Sequence, residues 1–460
     1  MLPRARIIQA DKAHGWHPYT PMGDYIAGAD PLVIARASGP WLEDVDGRRF
    51  LDGNASWWVA ALGHNHPRLV AALTEQARSL CHVSFAGVTH EPAALLAEEL
   101  AARCPPGMTR VYFVDDGSTA VEAAVKMAAQ FWYQQGKPEK RRFLALEGAF
   151  HGETIGATSL GDVEVFSRPF AGLLFDCVRV PPPASDDAYA EAFDAIARIL
   201  ASHAHELAAL VLEPLVQGAS GMRLYPPAFL QRARELCDRH DVLLVADEVF
   251  TGYGRTGRFW ACDHAGITPD LLCTAKGFTG GMLPMGAVAA TERVFNGFLG
   301  SRDRAFFYGH SYCGNPLGAA IAREVLRVFD DERVLDGIPE RARRITDAFA
   351  SLASLPGVRA ARSLGMIGAL DLDLPDTAVA PTGTAVHEEV DAIELRPGRG
   401  YLAQAGWRVY DEALRRGAYL RPLGSTIYTT PPLNIPLDDL DSLLAAITAS
   451  VRAVVTGVSL

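Results

Sequence analysis

Five short apolar segments constrain the fold of this chain more than any other feature of its sequence. They read VYFV (111–114), RFLAL (142–146), LAALVLE (207–213), VLLVA (242–246) and LLCTA (271–275). Helical patterns lie between several of them. Strands that are apolar along nearly their whole length are typical of a parallel sheet that helices cover on both faces. The sequence therefore predicts an α/β fold with a mostly parallel sheet.

The character of the sequence changes near residues 60 and 330. Before residue 60 it is rich in turns, and GPWLEDVDGRRFLDG is typical of a small hairpin. After residue 330 the amphipathic helical segment IPERARRITDAFASLASL precedes shorter strand-like segments. We predict an N-terminal segment (1–60) that belongs to the small domain and a pocket wall, a large domain (61–330) and a smaller α+β C-terminal domain (331–460). Residues 374–400 are interpreted as a surface excursion.

Composition and charge argue against several classes of function. The 460 residues carry a formal net charge of −11 without a basic block, so we expect no nucleic-acid partner. No stretch approaches the ~20 apolar residues of a membrane-spanning helix, and the N-terminus lacks the apolar core of a secretory signal. The seven cysteines form no C-x-x-C pair, which fits free thiols in a reducing compartment. We therefore expect a cytoplasmic protein.

Residues with useful chemistry follow the apolar segments, at the strand ends where α/β sheets bind ligands. Gly117 and Ser118 open a helix, whose N–H groups attract anions, although a plain helix cap would look the same. Phe150 could stack on a flat ring or belong to the core. Asp247 could meet a cation or cap a turn. Lys276 could simply hold its ammonium group in water.

Two other motifs carry little weight. GYGRTG (252–257) matches G-x-G-x-x-G, but it begins several residues after the strand and no good helix follows, so we expect no dinucleotide site. GHNHP places His64 and His66 two residues apart. Because no carboxylate or cysteine cluster accompanies these histidines, a turn is the better interpretation, and no metal site is expected.

Together, the four strand-end features match the requirements of pyridoxal 5′-phosphate (PLP). A helix N-terminus can hold the phosphate, and an aromatic ring can stack on the pyridine ring. Asp247 can pair with the ring nitrogen, while Lys276 can form a Schiff base with the cofactor and later move a proton. Burial and cationic neighbours lower the pKa of such a lysine and make its amine nucleophilic.

From about residue 11 to 450, the chain resembles the class III (ω-amino-acid) aminotransferases of PLP fold type I. Five stretches carry the resemblance: DDGSTAVEAAVKMA, AFHGETIGA, LEPLVQGASGM, LLVADEVFTGYGRTGRFWACDHAGITPDLLCTAKGFTGGMLP and YGHSYCGNPLGAA. It implies that the large domain binds PLP and that Lys276 is the catalytic residue of a ping-pong transamination. It also implies a homodimer with shared active sites, in which residues 309–311 reach the phosphate of the neighbouring subunit. The implied cofactor-binding residues are Gly117, Ser118, Phe150, His151, Glu213, Asp247, Lys276, Gly309, His310 and Ser311.

Within that class, the chain is most similar to the 7,8-diaminononanoate synthases of biotin synthesis. WHPYT (16–20), WW (57–58) and LRPLGSTIYTTPP (420–432) carry this likeness. It implies transfer of an amino group to 8-amino-7-oxononanoate, with Arg421 bound to the substrate carboxylate. A long aliphatic acid requires a binding slot that is apolar along its length and carries a bidentate cation at one end. The implied substrate-binding residues are Tyr19, Trp57, Trp58, Arg255, Arg421 and Tyr428.

Departures from the family pattern leave the amino donor open. Phe150 stands where tyrosine is usual, which keeps stacking but loses a hydroxyl. GHS (309–311) replaces the Gly-Pro-Thr of many S-adenosylmethionine-using members and, with TGGMLP, is closer to members that use lysine. SWW (56–58) matches the S-adenosylmethionine type. We favour S-adenosylmethionine as the donor, and L-lysine is the alternative.

Three other functions compete with this interpretation. One is a class III aminotransferase for other ω-amino acids, which Trp57, Trp58 and Arg421 argue against. Another is a PLP-dependent decarboxylase or racemase on the same fold. The last is a cofactor-binding protein without turnover, which the intact Lys276 and Asp247 argue against.

Overall fold

The computed structural model describes residues 2–183, 186–374 and 403–457. Its strands are β1 (Ile34–Ser38), β2 (Trp41–Asp44), β3 (Arg49–Asp52), β4 (Met108–Val114), β5 (Arg142–Leu146), β6 (Cys177–Val180), β7 (Leu207–Leu212), β8 (Val216–Gln217), β9 (Arg223–Leu224), β10 (Leu243–Asp247), β11 (Leu271–Thr274), β12 (Gly286–Thr291), β13 (Val358–Leu364), β14 (Ile367–Leu372), β15 (Ala418–Tyr419) and β16 (Thr426–Thr429).

The helices connect and cover these strands. They are α1 (Arg4–His14), α2 (Met22–Ala27), α3 (Ala55–Trp58), α4 (Pro67–Ser79), α5 (Glu91–Ala101), α6 (Gly117–Gln134), α7 (Ile155–Leu160), α8 (Glu164–Ser167), α9 (Asp186–His203), α10 (Pro227–His240), α11 (Cys262–Ala265), α12 (Glu292–Asn296), α13 (Pro316–Asp331), α14 (Ile338–Leu352), α15 (Ala405–Arg415) and α16 (Leu437–Thr456). None of the helices in the described ranges combines the length and apolar character that a membrane crossing needs.

The largest sheet has seven strands in the order β4-β12-β11-β10-β7-β5-β6. Only β12 runs antiparallel to its neighbours in this sheet. Alternate residues of β10 enter two separate apolar clusters: Leu243 and Val245 pack with α6, while Leu244 and Ala246 pack with α10. Helices therefore cover both faces, which explains why every residue of β7, β10 and β11 is buried.

The strand directions bring the ends of distant segments to one edge of this sheet. β10 and β11 are parallel, with Asp247 opposite Cys273, so Asp247 ends one strand and Lys276 follows the other. β5 and β7 run in the same direction as β10. β4 also runs in that direction, because β12 is antiparallel to both of its neighbours, β11 and β4. All five carboxyl ends therefore lie along one edge, where open α/β sheets bind ligands.

The described residues form three smaller sheets, of which one pairs only β8 with β9. Of the other two, the first has the order β1-β2-β3-β15 and joins an N-terminal hairpin to Ala418–Tyr419, which pairs in parallel with β3. The second is antiparallel, with the order β13-β14-β16. The first sheet thus links the N-terminal and C-terminal regions of the chain. The domain boundaries at residues 60 and 330 stay a prediction.

Most of the strands and helices predicted from the sequence are confirmed. The five apolar segments form β4, β5, β7, β10 and β11, and GPWLEDVDGRRFLDG forms the β2–β3 hairpin. The amphipathic segment after residue 330 forms α14. The predicted surface excursion, 374–400, lies outside the described residues apart from its first residue.

Gly365 allows a close approach between the β13–β14 turn and the segment 255–257. Its φ is 54°, and an added Cβ would lie 2.3 Å from the carbonyl carbon of Thr256. The neighbouring N–H of Met366 donates a hydrogen bond to the carbonyl oxygen of Arg255 (2.9 Å). Only glycine therefore fits at this contact between the C-terminal hairpin and the rest of the fold.

We expect Gly365→Ala to destabilise the protein by about 3 kcal/mol or more, because the new methyl group meets backbone atoms. Gly266→Ala is the matched control, since Gly266 has a similar φ of 61° but no atom within 4 Å of an added Cβ. That control should lose only about 1 kcal/mol. Urea unfolding measures both variants, and equal losses would contradict the close approach.

Candidate active site

A cavity of about 490 Å³ lies at the carboxyl edge of the large sheet. It gathers residues from five strand ends that are far apart in the sequence. Its walls include these sequence-predicted residues: Trp58, Gly117, Ser118, Phe150, His151, Glu213, Asp247 and Lys276. We call it the first cavity.

Lys276 has a backbone conformation that is uncommon for residues other than glycine, with a φ of 50°. Its Nζ lies 5.0 Å from the centroid of the Trp58 ring, and it forms no hydrogen bond or ion pair with another described residue. Desolvation lowers the pKa of its ammonium group, although the charges of Asp247, Glu213 and Asp116 oppose this shift. The surroundings therefore favour a neutral, nucleophilic amine.

Asp247 and His151 form a buried pair beside this lysine. His151 Nδ1 lies 2.7 Å from Asp247 Oδ2, and Asp247 Oδ1 accepts a hydrogen bond from the N–H of Val249 (3.1 Å). Desolvation lowers the pKa of His151, but the hydrogen bond to Asp247 and its charge outweigh that effect and raise the pKa. His151 Nε2 is buried and has no hydrogen-bond partner among the described residues.

Glu213 follows β7, and its carboxyl group forms hydrogen bonds with the backbone of two loops. Its Oε1 accepts a hydrogen bond from the N–H of Phe150 (3.1 Å), and its Oε2 accepts one from the N–H of Gly218 (2.9 Å). Burial raises the pKa of Glu213 to about 7; the charge of His151 opposes this shift and the charge of Asp247 adds to it. The side chain therefore holds the backbone of the segment that carries Phe150.

The N-terminus of α6 opens onto the first cavity. Gly117 lines the cavity at the positive end of this 18-residue helix, where an anion is stabilised. Asp116, rather than Ser118, caps the helix through a capping box. Ser118 Oγ instead accepts hydrogen bonds from the N–H groups of Glu153 (2.9 Å) and Thr154 (2.8 Å). It therefore fixes the loop that follows Phe150.

A second cavity, of about 920 Å³, is rich in aromatic side chains. Four predicted substrate residues line it: Tyr19, Trp57, Arg421 and Tyr428. Arg421 Cζ lies 4.8 Å from the centroid of the Trp57 ring and 5.7 Å from that of Trp407. Within the described ranges, no carboxylate forms an ion pair with Arg421. Its guanidinium thus contacts aromatic faces and donates a hydrogen bond to the carbonyl oxygen of Tyr19 (3.5 Å), rather than pairing with a negative charge.

Aromatic side chains connect the two cavities. Trp58 lines the first cavity, and its indole N–H donates a hydrogen bond to the hydroxyl of Tyr428 (3.2 Å), which lines the second. Tyr19 packs edge-on against Trp57, with centroids 5.1 Å apart, and donates a hydrogen bond to Glu153 Oε1 (2.5 Å). Because Glu153 lines the first cavity, the cavities are close neighbours.

The short element α3 (Ala55–Trp58) is not a right-handed helix but a left-handed turn, and it directs the two tryptophans to different cavities. Its four residues have φ values of 46°, 45°, 64° and 75°, all in the left-handed region. For residues other than glycine, this conformation costs about 1–2 kcal/mol each. Such a run persists only where surrounding interactions determine it, which is common at functional sites.

Arg255 lies away from both cavities. Its side chain is buried, and the guanidinium donates hydrogen bonds to the carbonyl oxygens of Pro431 (2.8 Å) and Met366 (3.4 Å). Arg255 lines neither cavity. Its predicted contact with substrate stays a prediction, and in this structure it joins the segment 255–257 to the C-terminal strands.

The segment 309–311 also lies outside the walls of the two cavities. Gly309 and Ser311 are exposed, and His310 Nε2 lies 3.1 Å from Asp115 Oδ1. Asp115 lines the first cavity. The predicted contact of this segment with a phosphate in a neighbouring subunit stays a prediction.

Sequence reasoning missed Glu153, Asn54 and Trp407. Glu153 lies within AFHGETIGA, where its place beside predicted residues could have revealed it. Asn54 Nδ2 donates a hydrogen bond to the carbonyl oxygen of Tyr428 (3.2 Å), and its Oδ1 accepts one from the N–H of Arg421 (2.5 Å). Its only local signal is its position before SWW. Trp407 belongs to an ordinary amphipathic helix and gave no signal.

The first cavity fits pyridoxal phosphate. It offers an amine without a partner (Lys276), a carboxylate at a strand end (Asp247), a ring on its wall (Phe150) and a helix N-terminus. At that terminus a Cβ added to Gly117 would lie 2.5 Å from Val249 Cγ1, so only glycine fits. Anionic, aromatic and cationic parts of the cofactor thus have matching groups.

Comparisons with known proteins point the same way. The Aminotransferase class-III family model matches residues 25–451. The chain is 40% identical over 459 residues to the adenosylmethionine-8-amino-7-oxononanoate aminotransferase of Geobacter sulfurreducens, an alignment that covers 97% of each protein. It is 42% identical over 441 residues to the Synechococcus elongatus protein of that name, covering 94% of this chain and 97% of the relative.

Solved structures are similar over nearly the whole chain. The crystal structure of adenosylmethionine-8-amino-7-oxononanoate aminotransferase from Methanocaldococcus jannaschii matches with a TM-score of 0.89 at 31% identity, covering 98% of this chain and 99% of that one. A PLP-bound amine transaminase from an uncultivated Pseudomonas species matches with a TM-score of 0.83 at 32% identity, covering 95% and 98%.

Glu248, next to Asp247, is a buried carboxyl group that does not line the first cavity. It accepts hydrogen bonds from the hydroxyl of Thr251 (2.6 Å) and from the N–H groups of Ala261 (3.0 Å) and Cys262 (2.8 Å). Burial outweighs these donors and raises the pKa of Glu248 to about 7.

Because the pKa of Glu248 is higher in the folded chain than in the unfolded one, its contribution to stability is complete below about pH 4.5 and is lost as the pH rises through 7. Relative to Glu248→Gln, which cannot ionise, the wild type should lose up to about 3 kcal/mol between about pH 5 and pH 8. Urea unfolding of both proteins across this range measures the difference. A difference that stays constant or grows in favour of the wild type would show that burial does not hold the proton.

Proposed function

This chain belongs to the class-III aminotransferases, with PLP fold type I, and we propose that it transfers an amino group to 8-amino-7-oxononanoate. The product would be 7,8-diaminononanoate, an intermediate of biotin biosynthesis. The names of relatives at 40% and 42% identity support this choice of acceptor. The observation that carries the proposal is Arg421, a cation without a carboxylate partner in the described ranges, set in an aromatic cavity beside Lys276.

Residues of the first cavity would hold the cofactor and move protons. PLP, when bound, supplies an electron sink that takes up and returns the amino group. Asp247 would pair with its ring nitrogen and Phe150 would stack on its ring, with Gly117 at the phosphate. The Nζ of Lys276, whose pKa is lowered, would bind the cofactor and carry the proton between the reacting carbons.

The second cavity would bind the long acceptor. Trp57, Tyr19 and Tyr428 would line its aliphatic chain, because aromatic walls bury apolar surface well. Arg421 would pair with the terminal carboxylate. Trp58, between Tyr428 and Lys276, would place the keto end beside the reacting amine.

We further propose that the enzyme works as a cytoplasmic homodimer with S-adenosylmethionine as the donor. All seven cysteines are free, as expected in a reducing compartment. The exposed positions of Gly309 and Ser311 suit a contact with the phosphate of a neighbouring subunit. The SWW sequence supports S-adenosylmethionine, while the GHS sequence at 309–311 supports L-lysine as the alternative donor.

Visible absorption of the PLP-loaded protein separates the donors. S-adenosylmethionine alone should bleach the cofactor band, because the amino group moves to the cofactor, and L-lysine alone should leave it. Adding 8-amino-7-oxononanoate should then restore the band, with the diamine detected by mass spectrometry. Bleaching by lysine alone would transfer the donor role to lysine, and no restoration by the acceptor would contradict the proposed activity.

Lys276→Ala is the control for this measurement. The variant should still bind PLP non-covalently, but turnover should fall by at least about a thousandfold, because both covalent attachment and proton transfer are lost. Turnover equal to that of the wild type would overturn the assigned mechanism.

Arg421→Ala should raise the KM for 8-amino-7-oxononanoate by about 10- to 100-fold, the cost of one charge-assisted pairing. Arg421→Lys should fall between the wild type and this variant, since lysine keeps the charge but not the bidentate geometry. Steady-state kinetics measure both. Arg359→Ala, at an exposed arginine outside the cavities, is the control. A KM that is unchanged in Arg421→Ala would remove Arg421 from the acceptor site.

A further inference from the structure

A polar cluster, Asp52, Ser56 and His64, supports the left-handed turn Ala55–Trp58, and its Ser56 and His64 also line the second cavity. Asp52, at the end of β3, is fully buried, and its Oδ2 accepts a hydrogen bond from the hydroxyl of Ser56 (2.7 Å). His64 Nε2 lies 2.9 Å from the same oxygen and 3.4 Å from Ser56 Oγ. Ser56, the second residue of the turn, is thus anchored to a buried carboxylate that also holds a histidine.

The geometry of this cluster does not suit a nucleophile. In a hydrolytic relay the serine hydroxyl donates its proton to the histidine, and the carboxylate contacts the other ring nitrogen. Here the Ser56 hydroxyl donates to Asp52 Oδ2, and His64 contacts that oxygen through the same Nε2 that faces the serine. The groups are therefore arranged to restrain one another rather than to transfer a proton.

The cluster restrains a turn that is unfavourable without it. Ser56 and Trp57 have φ values of 45° and 64°, which residues with a Cβ rarely adopt. Trp58 has further supports on the far side, the Phe250 ring with centroids 4.5 Å apart and the hydroxyl of Tyr428. Trp57 is only half-buried, and its ring meets Tyr19 and Arg421 in the second cavity. Trp57 therefore depends most on the restraint of the turn.

We propose that Asp52, Ser56 and His64 are positioning residues: they hold the left-handed turn and thereby fix Trp57 and Arg421 for binding of the acceptor. The chemistry at Lys276 does not depend on them, because Trp58, the residue of the turn that contacts Lys276, keeps its contacts with Phe250 and Tyr428. The acceptor in this inference rests on the proposed function.

A matched pair of substitutions at Ser56 tests it. Both Ser56→Ala and Ser56→Gly remove the hydroxyl, but only glycine adopts the left-handed conformation freely. Ser56→Ala should raise the acceptor KM about tenfold with kcat within about twofold, whereas Ser56→Gly should stay within about twofold in both. His64→Phe should behave like Ser56→Ala. The control is His66→Phe, at a histidine 3.2 Å from Glu332 and outside both of the larger cavities.

The outcomes separate a restraint from a direct contact. Equal KM increases in Ser56→Ala and Ser56→Gly would show that the hydroxyl binds substrate, and unchanged KM in Ser56→Ala would show that the cluster is dispensable. Either result overturns the inference. The unaltered visible band of bound PLP verifies that each variant is folded.

Amide hydrogen exchange provides a readout that needs no acceptor. Exchange in the peptide 54–60 should accelerate in Ser56→Ala and His64→Phe but not in His66→Phe. If the wild type fails to convert 8-amino-7-oxononanoate, the proposed function is wrong, and this exchange pattern alone then decides whether the cluster restrains the turn. Equal exchange in all variants would overturn the restraint.

Discussion

The parallel pairing of β10 with β11 is the constraint on which the first cavity depends. Its register places Asp247 at one strand end and Lys276 just beyond the next, at the same edge of the sheet. These opposite charges do not pair with each other. Asp247 is bound by His151, which leaves the lysine amine without a partner and in surroundings that lower its pKa. The register therefore places the reactive amine near Asp247, and burial lowers the pKa of that amine against the opposing charge of the carboxylate.

Ionising the buried carboxyl groups near this edge of the sheet costs free energy. The pKa values of Glu213 and Glu248 are both raised to about 7, which corresponds to about 3 kcal/mol for each carboxylate that is ionised at neutral pH. Backbone N–H groups donate hydrogen bonds to these side chains and so replace part of the water that the carboxylates lose on burial. In return, Glu213 holds the loop backbone at the first cavity, and Glu248 holds the backbone at Ala261 and Cys262, outside that cavity.

The sequence was most informative where function follows a strand end. Asp247 and Lys276 come directly after an apolar segment and Gly117 follows one after two residues, so a local pattern sufficed to predict a shared edge. Asn54 could not be found in this way, because its hydrogen bond to Tyr428 spans 374 residues of sequence. Arg255 shows the same limit: its orientation depends on carbonyl groups of Met366 and Pro431, which no pattern near GYGRTG records.

The two cavities draw on different parts of the chain. Among the described residues, those that line the first cavity fall between 58 and 285, whereas those that line the second fall between 7 and 64 or between 407 and 428. These terminal regions meet because Ala418–Tyr419 pairs with β3 and Asn54 bridges to Arg421 and Tyr428. The first cavity thus depends on the large sheet, and the second, the proposed acceptor site, depends on the terminal regions that join beside it. Trp57 and Trp58 lie at the boundary, since one left-handed turn sends consecutive side chains to opposite cavities. Changes in the terminal segments can therefore reshape the second cavity while most of the walls around Lys276 stay the same.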